Sequence, residues 1–365
     1  MAGKFSFKRF SEIDLDDPFF IELKGDYLGN EHSTGFIEWF RKKSTDGSTA
    51  LVFEDDKGVG AFIYLKNETE AIELTDQILP AVPRIKIGTL RLAERYRGQR
   101  LGEGAIGLAL WHWQKSKVPD IYVTVFEKRD DLIGLFEKFG FHRVGINKNN
   151  ECVYVRNRAS VDYSDPYKSF PFINPNFPKA GYVLVNDSYH DELFPYSEVK
   201  GELQPQLGLA VTNGISKIYV GASRPPHYNI GEPVLIYRIY KGTSGAPQHK
   251  SCITSFCVIT DIIEVKSFGR YLMQFDELIA RIGNKSVFNE NDLLERYDKD
   301  KNVVVIEMLY YGYFGEGNNV NKNWLDTHGY WSKSGEYPTS VQLTPTQFKE
   351  ILTEGNVDVS NVIIN

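Results

Sequence analysis

Residues 90–110 read LRLAERYRGQRLGEGAIGLAL. A strand pattern ends near Leu92. A short loop rich in arginine and glycine follows (Arg95, Arg97, Gly98, Arg100, Gly102, Gly104), and the spacing predicts a helix over Gly102–Lys117. The first N–H groups of a helix have no intrahelical acceptor, and the helix dipole adds positive potential there, so such a terminus attracts an anion. Glycine lets the anion approach the backbone, and arginine adds charge-assisted hydrogen bonds. The segment therefore predicts a pyrophosphate cradle. It is not a nucleotide P-loop, because the Gly-Lys-Ser/Thr ending is absent. It does not fit the dinucleotide fingerprint either: Gly98 and Gly102 are four apart, and no acidic strand end follows at the required distance.

The surrounding residues alternate strands and helices. Asp16–Phe40 predicts one or two helices. Ala50–Glu54 and Val59–Lys66 predict a hairpin turning at Asp55-Asp56-Lys57-Gly58. Arg84–Leu92, Asp120–Phe126 and Glu151–Arg156 read as strands, and Asp130–Phe139 as a helix. This order predicts an α/β sheet for the first half.

At this point the residues resemble a known family. Arg97-Gly98-Gln99-Arg100-Leu101-Gly102 is similar to motif A of the GNAT N-acetyltransferases, which follows a strand and holds the pyrophosphate of acetyl-coenzyme A. Leu132–Phe141, LIGLFEKFGF, resembles motif B and ends in the family's Gly-Phe pair, here Gly140-Phe141. The resemblance covers residues 50–157 and is strongest over 84–145. It implies a mixed, splayed sheet flanked by helices, acetyl-coenzyme A as cosubstrate, no metal, and cofactor contacts from Leu90, Arg91, Leu92, Arg97, Gly98, Gln99, Arg100, Leu101, Gly102 and Glu103. Three positions depart from the pattern. Arg100 stands where glycine is usual. Phe136 replaces a tyrosine that protonates the departing thiolate. Glu127-Lys128-Arg129 stands where an asparagine is common.

The implied reaction moves an acetyl group from a thioester to an amine by direct attack in a ternary complex, where positioning supplies much of the rate. The splayed strand ends would admit the pantetheine arm, and a backbone N–H near Leu92 could polarise the carbonyl. A base must take the amine's proton. Glu127, just after a strand facing the cofactor strand, ranks first; Glu73 and Glu94 are the other carboxylates. Tyr122 and Tyr154 are candidate proton donors. His112, between Trp111 and Trp113, reads as helix packing, and Cys152 lacks the partners a nucleophile needs.

The 365 residues exceed what one core usually serves, so two domains are expected. Residues 1–158 hold 24 basic and 24 acidic side chains, while the rest hold 18 and 24, so the whole net charge of −6 falls in the second half. A uniformly basic nucleic-acid sleeve is excluded; a local basic groove is not. The predicted division is an acyltransferase domain over 1–158, a linker over 159–178 carrying Pro166, Pro171, Pro175 and Pro178, and a second domain over 179–365. Three cysteines, no long apolar run and no signal-like start predict a soluble, cytoplasmic protein. Cys252 and Cys257, with His249 three before, suit a strand better than a zinc site.

The second half carries short strand patterns at Tyr182–Val185, Ser216–Val220, Val234–Tyr240, Ser255–Val265, Val303–Tyr310 and Ser340–Leu343, with helices at Asn291–Tyr297 and Thr346–Leu352. Asn289 and Thr344 are the expected N-caps, with Pro345 in the first turn. Gly231, Glu232, Val234, Leu235 and Tyr237 resemble a strand motif of the PUA-like barrels, which include ASCH and EVE domains. The resemblance implies a mainly β barrel with flanking helices, often one that binds RNA or modified bases. Lys217, Arg224, His227, Tyr228 and Arg238 mix cations with stacking surfaces and are the candidate acceptor-binding residues. The acceptor expected from this pairing is RNA, an aminoacyl-tRNA or a nucleotide-like molecule. The alternatives are a base-binding module with a degenerate acetyltransferase half, and a toxin- or defence-associated acetyltransferase.

Overall fold

The computed structural model describes residues 4–29, 34–200, 210–242, 250–331 and 340–364. The chain forms two compact units: residues 1–109, 118–136 and 141–158 in one, and residues 110–117, 137–140 and 159–365 in the other.

The first unit is built on a seven-stranded mixed sheet in the order β1-β2-β3-β6-β7-β9-β8. The strands are β1 (Lys4–Arg9), β2 (Thr49–Asp55), β3 (Gly58–Glu68), β6 (Arg84–Leu92), β7 (Asp120–Phe126), β8 (His142–Ile146) and β9 (Glu151–Asn157). A short hairpin of β4 (Ile72–Glu73) and β5 (Ile78–Leu79) stands apart. Only β6 and β7 run parallel within this sheet. On one face, helices α1 (Ile21–Asp26) and α2 (Phe36–Thr45) pack Leu23, Phe36 and Phe40 against Val52, Phe62 and Tyr64. Phe10 sits at the centre of this cluster and meets Phe40, Phe62 and Tyr64 edge-on, with centroids 4.9–5.6 Å apart.

The predicted bounds of β6 and β7 match those observed. Besides the short β4–β5 hairpin, two strands of the seven-stranded sheet were not expected, and both are edges. In β1 the aromatic alternation is half spent on water, with Phe5 buried and Phe7 55% exposed. In β8 a bulge near Gly145 breaks a short run that is exposed at His142 and Arg143 and half-buried beyond. Neither presents the sustained apolar alternation by which a half-buried strand is recognised.

The second unit holds β10 (Gly181–Asn186), β11 (Ser216–Gly221), β12 (Pro233–Ile239), β13 (Cys252–Ser267), β14 (Arg270–Tyr271), β15 (Val303–Tyr313) and β16 (Val320–Asn321). The main path is β10-β12-β13-β15-β11, with β10 and β12 parallel and the other neighbours antiparallel. The sheet curls into a half-barrel, and among the described residues no ladder joins β10 to β11. Helices Glu290–Lys299 and Pro345–Glu354 are capped by Asn289 and Thr344 as expected, the second through a capping box with Gln347. Ser340–Leu343 contributes a single bridge, Leu343 to Ala180, and not a strand.

The segment 159–178, expected to be a linker, is packed. Phe170, Phe172 and Ile173 are fully buried in the second unit, and Asp165 caps a short helix at Pro166–Ser169. Its prolines shape a folded segment because aromatic residues between them supply apolar surface to bury. The same core takes in Trp111, whose Nε1 donates to the Tyr311 carbonyl at 2.7 Å, and Trp113, which meets Phe172 edge-on.

Candidate active site

β6 and β7 pair from Arg84/Asp120 to Ile87/Val123 and then part. The cause lies in β6. Its ladder with β3 slips between Tyr64/Thr89 and Leu65/Ile87, leaving Gly88 as the extra residue of a bulge. A Cβ at Gly88 would lie 3.2 Å from the Tyr64 ring, so the bare backbone suits this turn. Beyond it, Thr89–Leu92 continue along β3 while their other edge has no ladder partner among the described residues. The result is a slot lined by unpaired peptide groups, open only where the strands diverge.

The loop at the head of the slot is fastened to the β2–β3 hairpin. Glu94–Tyr96 form one 3-10 turn. The Tyr96 hydroxyl donates to Asp55, its ring meets Phe53 edge-on at 5.1 Å, and Arg95 donates to the carbonyls of Gly58 and Val59, both at 2.9 Å. Burial and the Asp55 bond push the Tyr96 phenol up to about 12, so it remains a donor. Gly60 lies beneath: a Cβ there would fall 2.5 Å from the Tyr96 ring and 2.8 Å from Phe53. Gly60→Val is therefore expected to lower stability by about 1–3 kcal/mol through overpacking and to loosen the loop. Chemical denaturation together with coenzyme A affinity checks both effects.

Next come two left-handed residues, Gly98 at φ +75° and Arg100 at φ +61°. Such backbone turns neighbouring amides to one side and makes an anion-holding concavity. Arg100 adopts it at a cost of roughly 1 kcal/mol that glycine would avoid. Its guanidinium is committed to Glu103, at 2.7 Å, and is 9% exposed. Arg97 is the available cation: 86% exposed, with a loose contact of 3.6 Å to Asp131. Helix α3 (Leu101–Ser116) follows, with Leu101 buried and Gly102 close against Leu92 and Leu135. The Leu101 and Gly102 amides belong to the first helical turn and have no intrahelical acceptor.

Glu127 and Glu73, two of the expected bases, are each paired with a different cation. Glu127 is 74% exposed and paired with Arg143 at 3.1 Å. Glu73 is 55% exposed and paired with Lys148, whose hydrogen bond holds its carboxyl below the ordinary range. Tyr122 is buried in a cluster with Ile72, Leu74, Val153 and Val155, and its hydroxyl donates to Glu68. Burial and that bond push the phenol far up. Tyr122 pairs with Lys86, on the closed side of the parting. Phe136 is fully buried against Phe141, with ring centroids 5.1 Å apart. Three residues near the ends of β6 and β7 were not expected: Glu22, which pairs with Arg91; Tyr27, at the end of α1; and Glu151, opposite Phe126. Glu151 heads a strand whose existence was legible, but its place opposite Phe126, the last residue of β7, depends on the β7–β9 register.

In the second unit, Arg224, His227 and Tyr228 line a cavity of about 600 Å³. Its walls also include Tyr189, Phe288 and Arg296, and it draws on both β10 and β11, the two ends of the strand path. The Tyr189 and Phe288 rings lie 5.0 Å apart, and the Arg296 guanidinium rests 4.7 Å from the Phe288 ring. Lys217 and Arg238, expected beside them, are instead internal. Lys217 is 1% exposed and donates to the Val211 carbonyl at 2.5 Å. Arg238 is 3% exposed and grips Asp191 with two bonds of 2.9 and 3.0 Å. Both sit on strands with near-continuous burial, where a cation must find a partner inside. Cys252 and Cys257 are buried thiols outside any disulfide; His249 lies outside the described residues. Among the described residues no group of three metal ligands occurs.

The acetyltransferase (GNAT) family model matches residues 10–141. The first unit thus has a GNAT-like α/β fold. No curated protein matches the chain. Among solved structures, Arabidopsis thaliana Naa50 with a bisubstrate analogue is 18% identical, covering 43% of this chain and 99% of its own at a TM-score of 0.30. The ribosomal-protein-S18-alanine N-acetyltransferase from Escherichia coli is 13% identical, covering 42% and 91% at 0.29. A point mutant of ZmASCH from Zymomonas mobilis is 10% identical, covering 48% and 98% at 0.31.

Proposed function

We propose that this chain is an acetyl-coenzyme A-dependent N-acetyltransferase whose second unit selects the acceptor. The observation that carries the reading is the parting of β6 from β7 beyond Ile87/Val123, headed by the Arg97–Gly102 loop and the start of α3. These residues suit the cosubstrate. The amides of Leu101 and Gly102 with the exposed Arg97 suit its pyrophosphate, and the unpaired edge of Gly88–Leu92 suits its extended arm. When bound, acetyl-coenzyme A supplies an acetyl group already activated as a thioester. The chain's residues hold the two reactants in one geometry, which supplies much of the rate. A backbone N–H on the open β6 edge, aimed at the carbonyl oxygen, stabilises the charge that develops there.

The cavity of the second unit supports an acceptor that is RNA, aminoacyl-tRNA or nucleotide-like. It combines an aromatic pair with Arg224 and Arg296, a lining suited to a flat ring carrying negative charge. The unit's acidic total argues against general coating of a backbone and for recognition of one feature. A second reading, a binding module with a degenerate acetyltransferase half, draws on buried Phe136 and left-handed Arg100.

The test is thiol release from acetyl-coenzyme A by the purified chain, offered pools of small amines, nucleotides and aminoacyl-tRNA. Turnover with one pool supports the proposal and rejects the second reading. Arg224→Ala, at an exposed position, is expected to raise the acceptor KM about tenfold while leaving the acetyl-coenzyme A KM unchanged. Equal changes in both would contradict acceptor selection by the cavity.

A further inference from the structure

Phe136 removes the hydroxyl from one side of the slot, and Glu127 and Glu73 are exposed and already paired. The opposite side of the sheet carries a different arrangement. Glu22 and Asp26, one helical turn apart on α1, bind Arg91 near the end of β6 and Arg129 just past β7. Helix α1 is thereby tied to both lips of the parted strands. Tyr27 closes its C-terminal end: its N–H donates to the Leu23 carbonyl and its own carbonyl accepts from the Phe36 N–H. Burial, and then the charges of Glu151 and Asp26, hold the proton on the Tyr27 hydroxyl, so Glu151 lies within electrostatic reach of the helix end.

Glu151 stands directly across from Phe126, the last residue of β7, on the sheet face that also carries Tyr122 and Val153. Its position is fixed twice by one side chain. The Asn147 Oδ1 accepts from the Glu151 N–H at 3.0 Å, and the Asn147 Nδ2 donates to Glu151 Oε2 at 2.9 Å. Oε1 accepts no bond among the described residues. A carboxylate held by one oxygen beside the end of β7, its other oxygen accepting no bond among the described residues, is pre-organised to receive a proton.

We propose that Glu151 is the general base of the acetyl transfer, with α1 as the wall along which the acceptor amine enters. The inference rests on the acetyltransferase reading above. The ammonium gives one proton to Glu151, which passes it to solvent. The freed nitrogen lone pair forms the N–C bond, the C–S bond breaks, and sulfur leaves with its electron pair. The nitrogen's second departing proton ends on the sulfur. Around Glu151, Tyr27 lies within electrostatic reach and is itself flanked by Asp26 and Arg129, Asn147 holds the carboxylate from its own hairpin, and Lys128 sits over the ring of Phe126 across the ladder.

The experiment compares the full chain with Glu151→Gln and Glu127→Gln, reading thiol release with two probe nucleophiles near neutral pH. Butylamine is protonated there and needs a base; hydroxylamine is already neutral. Glu151→Gln is expected to lose roughly 100-fold with butylamine and to recover most of its rate with hydroxylamine, while Glu127→Gln follows the wild type with both. The acetyl-coenzyme A-dependent rise in melting temperature should be the same in all three proteins. Wild-type rates for Glu151→Gln with butylamine, or an equal loss with both nucleophiles, would overturn the assignment. Absence of the cofactor-dependent melting rise in the wild type would instead sink the acetyltransferase reading itself.

Discussion

Gly102→Glu is expected to reduce acetyl-coenzyme A affinity by at least about 100-fold, because it sets a carboxylate where the first helical turn should meet a pyrophosphate. The new side chain also meets Leu92 and Leu135, at 3.0 and 3.3 Å from its Cβ, so displacement of the slot adds to the loss. Arg97→Glu separates the two effects. Arg97 is 86% exposed and its one ion pair among the described residues is the loose contact with Asp131, so the fold should not notice the exchange. A charge-assisted hydrogen bond contributes about 1.5–3 kcal/mol, which predicts a loss of roughly 10- to 100-fold at an unchanged melting temperature. Arg100→Gly should behave otherwise. It relieves a left-handed φ but forfeits the Glu103 pair, so binding changes little. Titration calorimetry on the three variants checks the order. Equal affinity across the set would mean that the loop does not hold the pyrophosphate.

The largest stability effect is expected in the second unit, from Asp191→Ala. Asp191 accepts from Arg238 at 2.9 and 3.0 Å and from His190 Nδ1 at 2.7 Å, while His190 Nε2 meets the Thr254 hydroxyl at 2.7 Å. All four residues are buried. Removing the carboxylate takes from the buried Arg238 guanidinium the charge that it grips with two bonds, at a cost of about 3–5 kcal/mol. Denaturation followed by tryptophan fluorescence measures it. A loss under about 1 kcal/mol would show that water reaches Arg238.

The same network predicts acid sensitivity. Burial pushes the His190 imidazole down, so the folded state keeps it neutral. Unfolding lets it take up a proton, so stability falls as pH drops through the ordinary histidine value near about 6.5. Burial alone would raise the Asp191 carboxyl, but the hydrogen bonds from His190 and Arg238 outweigh it and hold it below the ordinary range. Its contribution is present above about pH 4 and is lost as pH falls further. Both groups steepen acid unfolding in the same direction, and Asp191→Ala should remove the lower step.

How much of this was legible in the sequence depends on what each inference needed. β6 and β7 were legible to the residue because each alternates or runs apolar between clear breaks. The loop's local form was legible from its glycines. The edge strands were not, since Phe7 and His142–Ile146 spend much of their side-chain surface on solvent. Helix Phe275–Ile282 is written plainly at Phe275, Leu278, Ile279 and Ile282, spaced for one face, yet a strand-rich neighbourhood hides it. Charges on strands were the hardest. Lys217 and Arg238 read as surface cations beside aromatics, but composition does not reveal which pleat faces inward. Glu151 escapes for the same reason. Its place opposite Phe126 follows from a pairing register, a long-range property that no local pattern contains.

Every functional step above depends on the gap between β6 and β7 being a coenzyme slot. A crystal structure of the chain grown with excess acetyl-coenzyme A decides it. Pyrophosphate oxygens are expected within hydrogen-bond distance of the Leu101 and Gly102 amides, with the acetyl group between Gly88–Leu92 and Thr124–Phe126. A slot that stays empty under saturating cosubstrate, or a pyrophosphate bound elsewhere, would contradict it.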